Sequence, residues 1–238
     1  MSYLRATLHP WANLVFVLPL LLAYEGGILV LSRENPDALR NGADAWVRWF
    51  LGTYGLGRLW AAPVLVAFYL AARAYRNRKD RPTEPLAVGF GMAVESVLFA
   101  GGLWVAANNL RPLLEKAGLP TNALSANTEA AGQLVTFVGA GIYEEFLFRV
   151  LVFGGLYLLL RTVLLPKLLA VGLAAVAGAV LFAAAHHFGP AGEPVQPTLF
   201  AFRLAAGLYF TALYLFRGFG IAIGAHAGYD IMAGVKVG

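Results

Sequence analysis

Glu144, Glu145 and Arg149 sit inside an uninterrupted apolar run, Gly141-Ile142-Tyr143-Glu144-Glu145-Phe146-Leu147-Phe148-Arg149, that contains no turn signal. A carboxylate or guanidinium at bilayer depth costs at least ~2.5 kcal/mol on insertion scales, so three together mark a site and not decoration. On a helix Glu145 and Arg149 are four residues apart and share a face, which allows an ion pair; Glu144 lies about 100° round and is left free. Phe182 with His186, and His226 with Asp230, repeat the same spacing of four, so each polar group and its partner share one helix face. Desolvated ionisable groups on three helices must find one another in the interior. A carboxylate with an imidazole can take a proton from water and hand it to a leaving amine, which is the general acid–base requirement of peptide hydrolysis. His226, oriented by Asp230, is then available to donate a hydrogen bond to an oxyanion forming on a scissile carbonyl.

The residue inventory removes several other chemistries. The histidines are His9, His186, His187 and His226, and no pair has the spacing of an HExxH zinc helix. Of the aspartates Asp37, Asp44, Asp80 and Asp230, only the last falls in an expected membrane helix, which excludes an aspartyl dyad. Ser96 is the one serine well inside an expected span, and its Glu-Ser-Val setting lacks the glycines of a nucleophile turn. With no Cys in the chain there is no thiolate nucleophile, thiolate ligand or disulfide.

The elements that must carry these residues are membrane helices. A chain of 238 residues that is 59% hydrophobic and 13% charged, with mean hydropathy +0.67, is too apolar for a soluble domain and reads as an all-α, polytopic helical bundle forming one domain over 1–238. The net charge of +5 suits an anionic membrane surface, and no basic non-spanning domain exists for nucleic acid. Spans are expected near 11–32, 57–75, 86–108, 129–161, 167–187, 198–216 and 219–235, giving seven, or eight if the Trp-rich segment at 43–56 or the long run divides differently. The segment 43–51 suits the interface better than a crossing, and the 110–128 loop, with its prolines and small polar residues, is expected outside. The run 129–161, about 33 residues, exceeds the ~20 needed to cross, so it is either one tilted helix or one broken near the Glu pair. Arg73, Arg76, Arg78, Lys79 and Arg81 form the strongest positive-inside signal and place the N-terminus in the cytoplasm, with 11–32 a retained first helix.

Glu144-Glu145-x-x-x-Arg149, Phe182-x-x-x-His186 and His226-x-x-x-Asp230, in that order on successive membrane helices, resemble the CPBP family, the CAAX prenyl endopeptidase and bacteriocin-processing group of intramembrane proteases. The resemblance covers about 129–235; the earlier residues match only as hydrophobic helices. It implies a glutamate-type endopeptidase in which Glu144 and His186 activate water, His226 and Asp230 line the oxyanion side, and Glu145 and Arg149 support them, with no cofactor. Its substrate would be a membrane-associated peptide or protein. The eukaryotic-type enzymes of that family carry Asn where Asp230 stands, whereas an acid is common in bacterial relatives; an ionised Asp cannot donate to an oxyanion, so Asp230 is either protonated or orients His226. Two alternatives stay open: a zinc site of Glu144, His186 and His226 with one open position, and a non-catalytic immunity or accessory membrane protein. The remaining intramembrane charges, Glu25, Glu95 and Arg203, are expected to pair with one another or with water, and His187 to be an interfacial imidazole. The Ala-, Gly-, Leu- and Arg-rich composition points to a bacterial inner membrane.

Overall fold

Proline and capping residues set the helix starts. In the computed structural model, which describes residues 1–32, 35–56, 60–116, 130–188 and 192–234, Pro10 occupies the first turn of a 22-residue helix and the His9 side chain caps it by accepting from the Trp11 amide. Every regular element among the described residues is helical. The α-helices are α1 (Tyr3–Leu8), α2 (Pro10–Leu31), α3 (Gly42–Thr53), α4 (Ala61–Arg76), α5 (Pro85–Lys116), α6 (Ala130–Glu145), α7 (Gly154–Thr162), α8 (Lys167–Ala185), α9 (Pro197–Phe216) and α10 (Phe219–Gly234). Four of them, through Pro10–Leu31, Pro85–Leu110, Lys167–Ala185 and Pro197–Phe216, are long and apolar enough to cross a bilayer, which makes this an integral membrane protein.

Three elements differ from the sequence expectation. The long run is continuous but changes pitch at the Glu pair: α6 passes without a gap into a π-helical segment, Phe146–Phe153, and then into α7. Helix α5 continues past the expected boundary at 108 through Pro112 to Lys116. Pro112 is exposed, so the one backbone bond it removes lies where water can replace it. The rest of the expected 110–128 loop, from 117 onward, lies outside the described residues, as do Gly57 at the expected start of the second span and residue 235 at the end of the last. Helix α1 is the third difference, a short element ahead of the first expected span.

Helix α10 is the centre of the bundle and packs against α5, α6, α9 and α2. Its glycines recur every four residues and form a smooth face. A Cβ on Gly220 would meet Met92 and Phe16, one on Gly224 would meet Ser96, and one on Gly228 would meet Ala100 at 3.0 Å. Met92, Ser96 and Ala100 are themselves four apart on α5, so the two stripes interlock at close range. Gly141 of α6 closes on another side of α10, 2.8 Å from the Ile223 carbonyl oxygen and 2.9 Å from Ala227 Cβ for an added methyl. His226 stands two residues from Gly224, about 200° round the helix, and Asp230 follows on the same face. The glycine face that seats α10 on α5 therefore aims His226 away from it.

The bundle has two polar ends. At one, Arg81 lies over the Trp11 ring and Arg217 pairs with Glu95, which also accepts from Tyr3. Helix α2 rises about 21 Å over the 14 residues from Trp11 to Glu25, and Glu25 belongs to the other end. There α2 and α3 are joined by Arg40, Asp44 and Arg48, with Glu25 accepting from Arg48 at 3.1 Å and from Tyr143 at 3.0 Å. Apolar packing between them runs along α2 as Val17, Leu21, Tyr24 and Ile28, against Ala62, Val66 and Leu70 of α4.

Replacing Gly141 by Ala forces a methyl against the α10 backbone and should lower stability by about 1–3 kcal/mol. Gly155→Ala meets no atom within 4 Å and should be neutral or gain about 0.5–1 kcal/mol from helix propensity. Thermal unfolding of the two variants in one detergent checks the contrast.

Candidate active site

Each site residue reaches the interior because of its helix position. Glu144 and Glu145 end α6, where Gly139 and Gly141 let Tyr24 and α10 approach. Phe182 lies in the last turn of α8, and His186 is its C-terminal cap residue. His226 and Asp230 lie on the face of α10 turned away from α5.

The deepest part is a carboxylate shared between two cations or potential cations. Glu145 Oε2 lies 3.0 Å from Arg149 Nε, and Glu145 Oε1 lies 2.8 Å from His226 Nδ1. Glu145 and Arg149 are 0% and 1% exposed. The wider π turn after Glu145 carries Arg149 under the Phe182 and Phe210 rings, 4.8 Å and 5.6 Å from their centroids. Its Nη2 donates to the Gly207 carbonyl at 3.3 Å. Phe210 also stacks on the His226 ring, with centroids 4.5 Å apart and planes at 10°. The imidazole is thus fixed in position by a hydrogen bond at one nitrogen and by a flat apolar wall.

Sequence reasoning assigns the orientation of His226 to Asp230, and here the structure differs. Glu145 holds Nδ1, whereas Asp230 Oδ2 is 3.6 Å from Nε2, beyond hydrogen-bond length. Helical spacing brings Asp230 to the same face but stacks it over the far nitrogen.

Above this layer the site becomes more polar and more open. Glu144 Oε2 is 3.7 Å from His186 Nε2 and 3.8 Å from His226 Nε2, and it has no hydrogen-bond partner among the described residues. A water molecule bridges polar atoms up to about 5.5 Å apart, so Glu144 Oε2 lies within one water's reach of each imidazole nitrogen. His186 Nδ1 lies 2.8 Å from the Phe182 carbonyl oxygen; only a protonated Nδ1 can donate there, so the neutral ring presents an accepting Nε2 to Glu144. Two acceptors facing one another are satisfied by a shared proton or a proton-bearing molecule between them. The expected Phe182–His186 pattern therefore has a backbone meaning as well as an aromatic one, the two rings packing edge to face at 4.9 Å.

One member of this layer escapes sequence reasoning. Asn41 Nδ2 donates to Glu144 Oε1 at 2.8 Å across 103 residues of sequence. The only trace in the sequence is a helix-capping Asn before Gly42-Ala43-Asp44, a common surface pattern. The other intramembrane charges pair, though not with one another: Glu25 with Arg40 and Arg48, Glu95 with Arg217, and Arg203 with Glu193. His187 is held at the end of α8 by the Glu193 carbonyl and stacks on Phe200. Among the described residues no group of three or more His, Asp or Glu has the arrangement of a metal site.

Residues 126–232 match the family model of the type II CAAX prenyl endopeptidase Rce1-like proteins. Over that stretch the chain is similar to the CPBP family. No curated relative and no solved structure matches it. At the family level a CPBP protein of this type is an intramembrane CAAX-type protease, a peptidase of the endopeptidase kind. The CPBP match spans Glu144, His186, His226 and Asp230, while Asn41 lies well before it.

Arg149→Met leaves Glu145 buried with its guanidinium partner gone, which should cost about 3–5 kcal/mol. Arg149→Met with Glu145→Gln removes both charges and should recover part of that loss. A double-mutant cycle by thermal unfolding in detergent measures the coupling.

Proposed function

We propose that this protein is a glutamate-type intramembrane endopeptidase acting on a membrane-associated peptide or protein. The observation that carries the reading is the convergence of Glu144 Oε2 on the Nε2 atoms of His186 and His226, at 3.7 Å and 3.8 Å. Glu144 and His186 share the water and draw off a proton as its oxygen bonds to the scissile carbonyl carbon. The carbonyl pair moves onto oxygen, and His226 Nε2, when protonated, donates to that oxyanion. As the tetrahedral centre collapses, the C–N bond breaks and the proton held by the Glu144–His186 pair passes to the departing amine. Asp230 lies on the oxyanion side, close enough to His226 to influence Nε2, and donates there itself only if protonated. Glu145 and Arg149 are positioning residues, since they act through His226. No metal ion is needed for these steps.

The exposure of the side chains supports a route for water and substrate. It falls from 26% at His186 and 24% at Asp230 to 0% at Glu145, so the reactive oxygen and nitrogens lie at the boundary between a dry interior and an opening. The family supports a membrane-associated substrate, and we place the scissile bond near that substrate's C-terminus or at a membrane-proximal position.

Purified protein should cleave a fluorescence-quenched farnesylated CAAX peptide or a membrane-anchored leader peptide in mixed micelles. Glu144→Gln and His186→Ala should each lower kcat/KM by about 10²–10⁴-fold, and exhaustive chelation should leave the rate unchanged. Loss on chelation, restored by zinc, would replace the mechanism by a metal-dependent one; wild-type function in both variants would make the protein a binding factor.

For orientation we propose a cytoplasmic N-terminus in a bacterial inner membrane, on the strength of Arg73, Arg76, Arg78, Lys79 and Arg81. The site then lies in the half of the bundle away from the cytoplasm. Because the chain has no Cys, Asp80→Cys gives an unambiguous probe: the new thiol should resist a membrane-impermeant maleimide in intact cells and react after the cytoplasmic face is exposed.

A further inference from the structure

The geometry points to Asn41 as a positioning residue for Glu144, so that the interfacial helix α3, outside the family match, completes the reactive centre; this rests on the peptidase reading above. A carboxylate that must draw a proton with one oxygen works best when the other is held. Asn41 Nδ2 holds Glu144 Oε1 at 2.8 Å, and the free Oε2 is the oxygen that faces both imidazoles. The same side chain does a second job with its other atom: Asn41 Oδ1 accepts from the Asp44 amide at 3.0 Å and caps α3. The amide is therefore locked at both ends, and its NH2 group cannot rotate away from Glu144 without giving up the cap.

The surroundings fix this arrangement from both chains of contact. Asp44 is fully buried and accepts from Arg40 at 2.8 Å, from Arg48 at 2.6 Å and from Tyr24 at 2.9 Å. Arg48 continues to Glu25, and Glu25 accepts from Tyr143, the residue immediately before Glu144. One charge network thus grips the Asn41 turn on α3 and the backbone next to Glu144 on α6. Tyr24 adds a direct brace, its ring packed 5.6 Å from that of Tyr143. A network built only to hold α3 on the bundle would have no need to end at both neighbours of the reactive carboxylate.

The two roles of Asn41 separate by substitution. Ser and Asp keep a capping oxygen, but Ser ends where Asn41 has Cγ and Asp turns the donor into an acceptor facing Glu144. Ala loses both functions. Asn41→Ser and Asn41→Asp should lower kcat about ten- to a hundredfold, the value of a hydrogen bond to a charged group, with KM within about twofold and, for Asn41→Ser with the cap kept, a smaller fall in unfolding temperature than for Asn41→Ala. Asn41→Ala should lose kcat similarly and also unfold about 2–4 °C lower. A second readout does not depend on turnover. Removing a donor to a carboxylate favours its protonated, carbodiimide-reactive form, so dicyclohexylcarbodiimide labelling of Glu144 at neutral pH, read against Glu25 by mass spectrometry, should rise severalfold in Asn41→Ser.

Activity that follows the cap, with Asn41→Ser and Asn41→Asp like wild type and only Asn41→Ala impaired, overturns the inference. So does a fall in unfolding temperature for Asn41→Ser equal to that for Asn41→Ala, or labelling of Glu144 that is the same in wild type and Asn41→Ser. If Glu144→Gln keeps full peptidase activity, the peptidase reading fails first, while the labelling result still decides whether Asn41 governs the Glu144 carboxyl.

Discussion

Glu145 is the point on which the interior depends, because its two oxygens have different partners and neither can be released to water. One oxygen meets Arg149 on its own helix and the other meets His226 on α10. A buried carboxylate without partners would cost several kcal/mol, so the pairing fixes the rotation of α6 and α10 about their axes. Once that rotation is set, Glu144 points to the open side and His226 Nε2 faces it. The glycine faces of α10 and α6 provide the close approach that makes such short polar contacts reachable.

The chain of consequence then runs outward. Arg149 sits against Phe182 and Phe210, which places α8 and α9 around the pair. Phe182 accepts from His186 through its carbonyl oxygen, so the same residue packs on the guanidinium and sets the imidazole. The aromatic residue in the second motif is therefore structural on its ring and functional through its backbone. The least exposed layer determines shape, and the half-open layer above it holds the groups suited to proton transfer.

Much of this is legible in the sequence because intramembrane charge is costly and the spacing of four is a strong geometric constraint. Glu144, Glu145, Arg149, His186, His226 and Asp230 are drawn into one region on that basis, and the structure places all of them within one connected cluster. The partner of His226 Nδ1 is not legible, since helical spacing says which face a residue occupies but not which ring nitrogen it meets. Asn41 is hidden for a different reason: its contact with Glu144 spans 103 residues, and a helix-capping Asn looks the same wherever the helix docks. Arg40, Asp44 and Arg48 have the spacing of an exposed salt-bridged helix face; burial of Asp44, which the docking of α3 against α6 and α4 beside Tyr24 creates, turns it into a core network.

The π segment after Glu145 has a meaning for how this chain tolerates change in length. A π turn accommodates one more residue than an α turn over the same rise, so Phe146–Phe153 stores slack between the two carboxylates and the rest of α7. Losing a single residue there would let the backbone tighten into ordinary α-helix and remove the wide turn that seats Arg149 under the Phe182 and Phe210 rings, although Glu145 and Arg149 would keep a shared face. Gaining one elsewhere in the exposed α7 would merely lengthen a surface. Indels along this one continuous rod are thus unequal in consequence, and the intolerant stretch is the one whose side chains carry almost no charge.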